Sequence, residues 1–399
     1  MSGPLADVRV LDLTSVVMGP LATQILGDLG ADVITVEDVK GDTNRTMGLG
    51  PHPQFSGVSL NLLRNKRNIS LDLRHPDGLE ACLRLAERAD ILITNLRPGS
   101  LTRLGLDYES VRARSPQIVY CQAQGWPTDS PEADKPAYDD VVQAASGVAA
   151  AFQLRDGDPA IAPTIMADKL SGLTVVYGVL AALHHRDATG EGQRLEVPMV
   201  EATRAFVLAE HMSAATTVPP LAPAGLPRVL LPGRHPQRTA DGWIHVLPYS
   251  AKNYNDLFAA GGRHDLVDDE RMATRWSRLE FAAELYREVA ELMLTRTTAE
   301  WLAYCDELDI PAGPVRTLDE LVAELPVATH PVAGDYRVLP GGVRFDTTPA
   351  THTTVRRHAP LVGQHSDEVL AELGYTPAEL AALRAEGVLR SLTADEHLP

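Results

Sequence analysis

Short apolar runs separated by amphipathic stretches dominate the first 120 residues. The run 8–13 reads as a strand, after which Gly19 and Pro20 open a helix with Leu21, Ile25, Leu26 and Leu29 on one face. Gly30 ends that helix and the apolar run 33–36 supplies a second strand, the order and length of a right-handed parallel crossover. The pattern then recurs: Ile69, Leu71 and Leu73 alternate as in a strand, His75, Pro76 and Asp77 start a helix through Leu79, Leu83 and Ala86, and apolar runs at 91–94 and 118–120 return to the sheet. The repetition predicts an open, Rossmann-like α/β sheet whose ligands sit beyond the carboxyl ends of its strands. A long helix is predicted over 167–186, with Leu170, Leu173, Val176 and Leu180 at helical spacing, and a turn at 189–193 leads into a strand at 195–197. His184 and His185 near that helix's end read as a solvated pair favoured by the helix dipole. Residues 214–236 carry several prolines and glycines and little periodicity, which marks a linker. A strand at 243–247 and helical stretches near 280–308 predict a second, smaller α/β unit, and 366–389 reads as two short helices broken at 374–377.

Composition narrows the function. The chain has 399 residues, 44% hydrophobic and 22% charged, which suits an ordinary globular protein of more than one domain. Lys plus Arg number 36 against 53 for Asp plus Glu, a net charge of −17, and a field of that sign repels nucleic acid and anionic lipid. An anionic ligand must therefore be met by a local basic cluster or by a helix N-terminus. Cys82, Cys121 and Cys305 are too few and too scattered for a disulfide framework, so a reducing cytoplasm is expected. No basic n-region and no apolar stretch of about 18 residues is present, so export and membrane insertion are not expected. Dinucleotide, P-loop, nucleophile-elbow and HExxH signatures are absent, and the thirteen histidines lack ligand spacing, so no metal is expected.

Longer words remain: VLDLT at 10–14 with Gly19 and Pro20, LGADVI at 29–34, NKRNI at 65–69, NLRPG at 95–99 with LGL at 104–106, 138–147, ADKLSG at 167–172, TGEGQ at 189–193, IPAGPV at 310–315 and GQHSDEVL at 363–370. Together and in this order they resemble the family III coenzyme A transferases, which include formyl-CoA and carnitine CoA transferases and the α-methylacyl-CoA racemases. The resemblance implies a large CoA-binding domain of 1–205 to which 331–399 returns, a linker at 206–224, a small domain of 225–330, and an interlocked homodimer of two threaded rings. It implies CoA as a co-substrate, no tightly bound cofactor, and an acyl-CoA and a carboxylic acid as partners. An aspartate would attack the thioester to give an acyl anhydride, and returning thiolate would convert it to an aspartyl-CoA thioester.

By the same resemblance that aspartate is Asp168. A carboxylate in the first turn of a helix is held ionised by the dipole and free N–H groups, as a nucleophile must be, although the same place suits a plain helix cap. Arg103 matches a CoA-phosphate contact, and Lys66 and Arg67, read as lying in a neighbouring loop, would complete a basic cluster; each alone also reads as a surface charge. Met18 and Gly19 match the wall near the thioester and Asn95 and Leu96 the adenosine side, and Arg97 is counted among the CoA-binding residues. Tyr138 matches a site position where its phenol could donate to a developing oxyanion, or could simply pack, buried, beside the sheet.

Two departures stand out. Several transferases carry a basic residue where this chain has Asp38 after Glu37, which leaves that contact missing or supplied by Lys40. The glycine run that covers the intermediate in formyl-CoA transferase is also missing; only Gly225 and Gly233 lie in its segment. Two alternatives stay open: a racemase or isomerase, whose family histidine is replaced in the word PAYD at 136–139, and a non-catalytic acyl-CoA binding protein, which would need no carboxylate at Asp168.

Overall fold

The computed structural model describes residues 3–231, 233–346 and 355–398; Met1 and Ser2, at the start of the segment read for a targeting signal, lie outside them. Six parallel strands form the main sheet: β1 (Arg9–Leu13), β2 (Asp32–Glu37), β3 (Lys66–Leu71), β4 (Ile91–Thr94), β5 (Val119–Gln124) and β6 (Arg194–Pro198). The antiparallel strand Leu389–Arg390 extends it beside β3, and the order is then β3, β2, β1, β4, β5, β6. The order reverses between β1 and β4, and the loops leaving those two strands diverge to open a crevice at their carboxyl ends.

Alternation along the strands builds two cores. Leu11, Leu13, Ile34, Val36, Ile69 and Leu71 face one layer, which the tail helices Ser366–Glu372 and Pro377–Ala385 help to cover. Val10, Val33, Ile91 and Ile93 face the other, under the helices Met18–Asp28 and Met166–Thr189. His75 caps the Pro76–Ala86 helix by accepting the Asp77 N–H, with Pro76 in the first turn.

On two helices the buried face differs from the apolar stripe in the sequence. In Met166–Thr189 the buried residues are Ala167, Asp168, Ser171, Gly172, Val175, Val179, Ala182 and Leu183, whereas Leu173 is 54% and Tyr177 66% exposed. In Met18–Asp28 Leu26 is buried, but Leu21 and Ile25 are only half-buried while Thr23, Gln24 and Asp28 are enclosed. The reason is close approach: a Cβ on Gly172 would stand 2.7 Å from the Met18 carbonyl oxygen, so only small residues fit between these helices. The Met166–Thr189 helix is also long and apolar enough to cross a membrane by length and composition, contrary to the sequence expectation, yet here it packs on the sheet. His184 and His185 are exposed near its end.

The chain divides into two compact units. The first comprises Met1–Gly147, Ile161–Phe206 and Leu325–Pro399; the second comprises Val148–Ala160 and Val207–Glu324. Residues 148–160, which the sequence reading kept in the large domain, belong to the second unit; Leu154 lies near Gly225, where a Cβ would be 3.7 Å away. The second unit holds an antiparallel sheet of Gln237–Arg238, Trp243–Val246 and Ala312–Pro314, with a core of Ile244, Leu257, Phe258, Leu285, Val289 and Trp301.

Candidate active site

The loop leaving β1 is held by three side chains. Asp12 accepts from the N–H and hydroxyl of Thr14, at 3.0 and 2.5 Å. Asn95, just beyond β4, accepts the Ser15 N–H at 3.0 Å and donates to the Ser15 carbonyl at 2.8 Å. Asp42 accepts the Val16 N–H at 3.2 Å. Val16 has φ of 70°, a strained value for a β-branched residue, which the neighbouring clamps impose. Gly19 is fixed by packing: a Cβ there would stand 2.2 Å from that of Thr14.

This loop, the segment after β4 and the starts of two helices enclose a cavity of about 310 Å³ lined by Val16, Met18, Asn95, Leu96, Arg97, Lys135, Tyr138, Asp168 and Met199, among others. Asp168 is the one carboxylate on its wall among the described residues. It is 9% exposed, in the first turn of Met166–Thr189, and accepts the backbone N–H of Met18, itself the first residue of its helix. Two helix N-termini thus meet at one carboxylate. Burial nevertheless pushes its pKa up to about 6, with the negative charge of Asp139 adding and the Met18 N–H opposing. Asp139 accepts the Asp168 N–H at 3.0 Å and the Gln143 side chain at 2.5 Å, so it caps this helix from outside. The sequence reading expected the dipole to keep Asp168 ionised; desolvation outweighs it, and the carboxylate ionises only near pH 6 and above.

Tyr138 is 69% exposed and faces this cavity, so the buried-packing alternative fails. Leu96 lines this cavity and a second one of about 360 Å³ with Asp38, Asp42, Leu73 and Arg74. A third, of about 410 Å³, brings Arg74 and Arg103 together with Ser100. Arg103 has no carboxylate partner among the described residues; its side chain donates to Ser100 Oγ at 3.0 Å.

Lys66 and Arg67 need correction. They lie in β3 rather than in a loop, and both are buried. Lys66 Nζ is 3.1 Å from Asp12 and 2.7 Å from Thr23 Oγ1, while Arg67 binds Asp32, Glu368 and Glu372 at 2.6, 3.1 and 2.5 Å. Their charges are spent inside the sheet, and neither lines these cavities. The basic groups at the crevice are instead Arg97, Arg103, Lys135 and Arg74, of which the sequence reading missed the last two. Arg74 was legible as a cation following the carboxyl end of β3, where an open sheet binds ligands. Lys40 is exposed but lines neither cavity, so Asp38 stands at the crevice without it. One trio able to hold a cation, His75, Asp77 and Glu386, lies at the surface away from this cavity.

The profile of CoA-transferase family III matches residues 5–366. The chain belongs to CoA-transferase family III. It is 31% identical to a succinate–glutarate CoA-transferase of Agrobacterium fabrum, covering 93% of this chain and 96% of the relative. To a formyl-CoA:oxalate CoA-transferase of Escherichia coli O157:H7 it is 29% identical, covering 96% and 99%. A crystal structure of a CAIB/BAIF family protein from Brucella suis superimposes with a TM-score of 0.79 at 27% identity, over 94% of this chain and all of the other. This family III CoA-transferase therefore handles acyl-CoA and carboxylic acids, with CoA as co-substrate.

Proposed function

We propose that the enzyme moves CoA from an acyl-CoA thioester to a free acid through covalent intermediates on Asp168, with a dicarboxylic acid as acceptor class, by analogy with the relatives named for succinate, glutarate and oxalate. The observation that carries this reading is the single cavity-wall carboxylate at the meeting of two helix starts. A carboxylate oxygen of Asp168 attacks the thioester carbonyl; the C–S bond breaks and CoA thiolate leaves, giving a mixed anhydride. The thiolate then attacks the aspartyl carbonyl, releasing the donor's acid as carboxylate and leaving an aspartyl-CoA thioester. The acceptor carboxylate reverses both steps. Each step exchanges one anion for another, so the chemistry asks for no tightly bound cofactor. Tyr138 donates to the developing oxyanion, Arg74, Arg97 and Arg103 meet the CoA phosphates, and Met18, Asn95 and Leu96 form the wall. The buried cysteines suit the cytoplasmic setting we propose.

Trapping tests this. After incubation with an acyl-CoA donor, hydroxylamine should convert the peptide holding Asp168 to a hydroxamate, and Asp168→Ala should lose transfer by on the order of a thousandfold or more while still binding CoA. Labelling elsewhere, or an active Ala variant, removes the assignment. Run in deuterated water, the reaction should leave the α-carbon unlabelled; rapid α-deuteration without any acceptor acid would instead support a racemase.

We also propose the interlocked homodimer; the exposed Leu173 and Tyr177 of the Met166–Thr189 helix suit a partner surface.

A further inference from the structure

The loop leaving β1 carries a strained residue beside the cavity of Asp168. Val16 has φ of 70°, which its branched Cβ opposes, so contacts from outside the residue must hold it there. Asn95 holds Ser15 from one side, and Asp42 holds Val16 from the other: Oδ1 of Asp42 accepts the Val16 N–H at 3.2 Å and the Asn44 N–H at 2.6 Å. Asp42 stands in the turn after β2, and that turn is set in a rigid frame. Glu37, the last residue of β2, accepts the Asp42 N–H at 3.0 Å, and its carboxylate is gripped by Arg45 at 2.7 and 2.8 Å and by Asn68 at 2.7 Å. The side chains of Arg45 and Glu37 are enclosed, and Arg45 also donates to the carbonyls of Gln54 and Pro360 at 3.2 and 3.0 Å. A carboxyl held in such a frame loses little freedom when it takes the Val16 N–H.

Ser15, Val16 and Met18 line the cavity of Asp168, whereas Asp42 does not; it lines the second cavity, which Ser15 shares. Asp42 therefore acts on the first cavity through the loop. Packing leaves that loop little room: a Cβ on Gly19 would stand 2.2 Å from that of Thr14, and one on Gly172 would stand 2.7 Å from the Met18 carbonyl oxygen. Released from its clamp, Val16 would turn to the ordinary negative-φ region and carry the peptide planes on either side with it, moving Val16 and Met18 relative to Asp168. Burial pushes the pKa of Asp42 up to about 7, with the Asn44 N–H opposing, so near neutrality many molecules carry it uncharged. A carboxyl oxygen accepts an N–H in either state, and an amide oxygen does the same in its place.

We propose that Asp42 is a positioning residue for CoA transfer, holding Val16 in its left-handed turn and so setting the loop from Ser15 to Met18 against Asp168. The inference rests on the function proposed above in taking that cavity as the place of reaction. A double-substitution cycle on the full chain tests it, with initial rates of CoA transfer from succinyl-CoA to glutarate. Asp42→Ala should lower kcat tenfold or more while the KM for succinyl-CoA stays within twofold, and Asp42→Asn, which keeps the accepting oxygen, should stay within threefold of wild type in kcat. Glycine adopts positive φ without steric cost, so Val16→Gly removes the need for the clamp; in the Val16→Gly protein, Asp42→Ala should lower kcat twofold or less. Should Asp42→Ala not fold, Asp42→Ser takes its place in the cycle, since its hydroxyl still caps the Thr43–Thr46 turn but is one bond too short to clamp Val16. An equal loss of kcat with and without Val16→Gly overturns the proposal. A raised KM at unchanged kcat also overturns it, by making Asp42 a direct ligand contact from the second cavity. Coupling between the two positions in an enzyme that Asp168→Ala leaves active would sustain the clamp and remove the functional reading, whereas no coupling in an enzyme that Asp168→Ala inactivates would remove the clamp alone.

Discussion

Asp168 is placed against its own stability. An unfolded aspartate ionises near 3.8, whereas burial and then Asp139 raise the folded value to about 6. Well below pH 3.8 both states hold the proton and the site costs nothing. Between 4 and 6 the unfolded chain ionises first, so stability falls as pH rises, and above 6 the penalty is constant. Asp168→Asn should therefore raise stability by about 2–3 kcal/mol at pH 7.5, since one pKa unit is about 1.4 kcal/mol, and by almost nothing at pH 4. Denaturation midpoints at the two pH values check this; an equal gain at both would show that charge is not the cause. Removing the raised group also removes the proposed nucleophile, a trade of activity for stability.

At the scale of elements, β3 encloses two cations that the sequence reading gave to the CoA phosphates. Lys66 neutralises Asp12 inside the sheet, both side chains being fully enclosed. Lys66→Ala should cost about 3–5 kcal/mol by leaving that charge unpaired. Arg103→Ala should leave the thermal midpoint unchanged and raise the KM for acyl-CoA. Thermal unfolding and initial rates on both variants distinguish the roles, and the reverse pattern would restore Lys66 to the phosphate cluster. Sequence alone could not make this distinction, because NKRNI carries its cations on an apolar-poor run that reads as a loop until Asp12, Glu37 and Asp32 are brought beside it.

For the whole molecule, the returning C-terminal segment is tied down by neutral histidines. His330 Nδ1 accepts the N–H groups of Val332 and Ala333, both at 3.0 Å, and His365 Nδ1 accepts the Asn68 N–H of β3 at 3.1 Å. Burial lowers the pKa of both, and of His358. The unfolded chain thus binds protons first as pH falls through the ordinary histidine range near 6.5, so stability present above it is lost below it. The histidines should lower the thermal midpoint between pH 7 and 5 against the opposite contributions of Asp42 and Asp168, whose pKa values stand at about 7 and about 6, so His330→Asn should shift the slope toward greater stability at pH 5; a slope unchanged by this substitution would clear the histidine. Assembly is tested by mixing tagged and untagged protein: an interlocked dimer should form no mixed species without unfolding. Leu173→Asp should lower the thermal midpoint without releasing free monomer, and rapid exchange at low denaturant would contradict the linked rings.

The strand, helix, strand order was legible because β1, β2 and β4 are short runs rich in Val, Ile and Leu, separated by glycine, proline and polar turns, and such runs have few other folds open to them. Asp168 and the start of the NLRPG segment, which line the cavity, were legible as words of the family. Which helix faces are buried was not legible. Periodicity finds the most apolar stripe, but the close approach of Met18 to Gly172 demands the smallest one, and that distance exists only after both helices lie on the sheet. The same holds for charge: Lys66 and Arg103 are both plain cations in the sequence, and only the fold, which sets Lys66 against Asp12 of β1 and leaves Arg103 at a cavity, decides which is which.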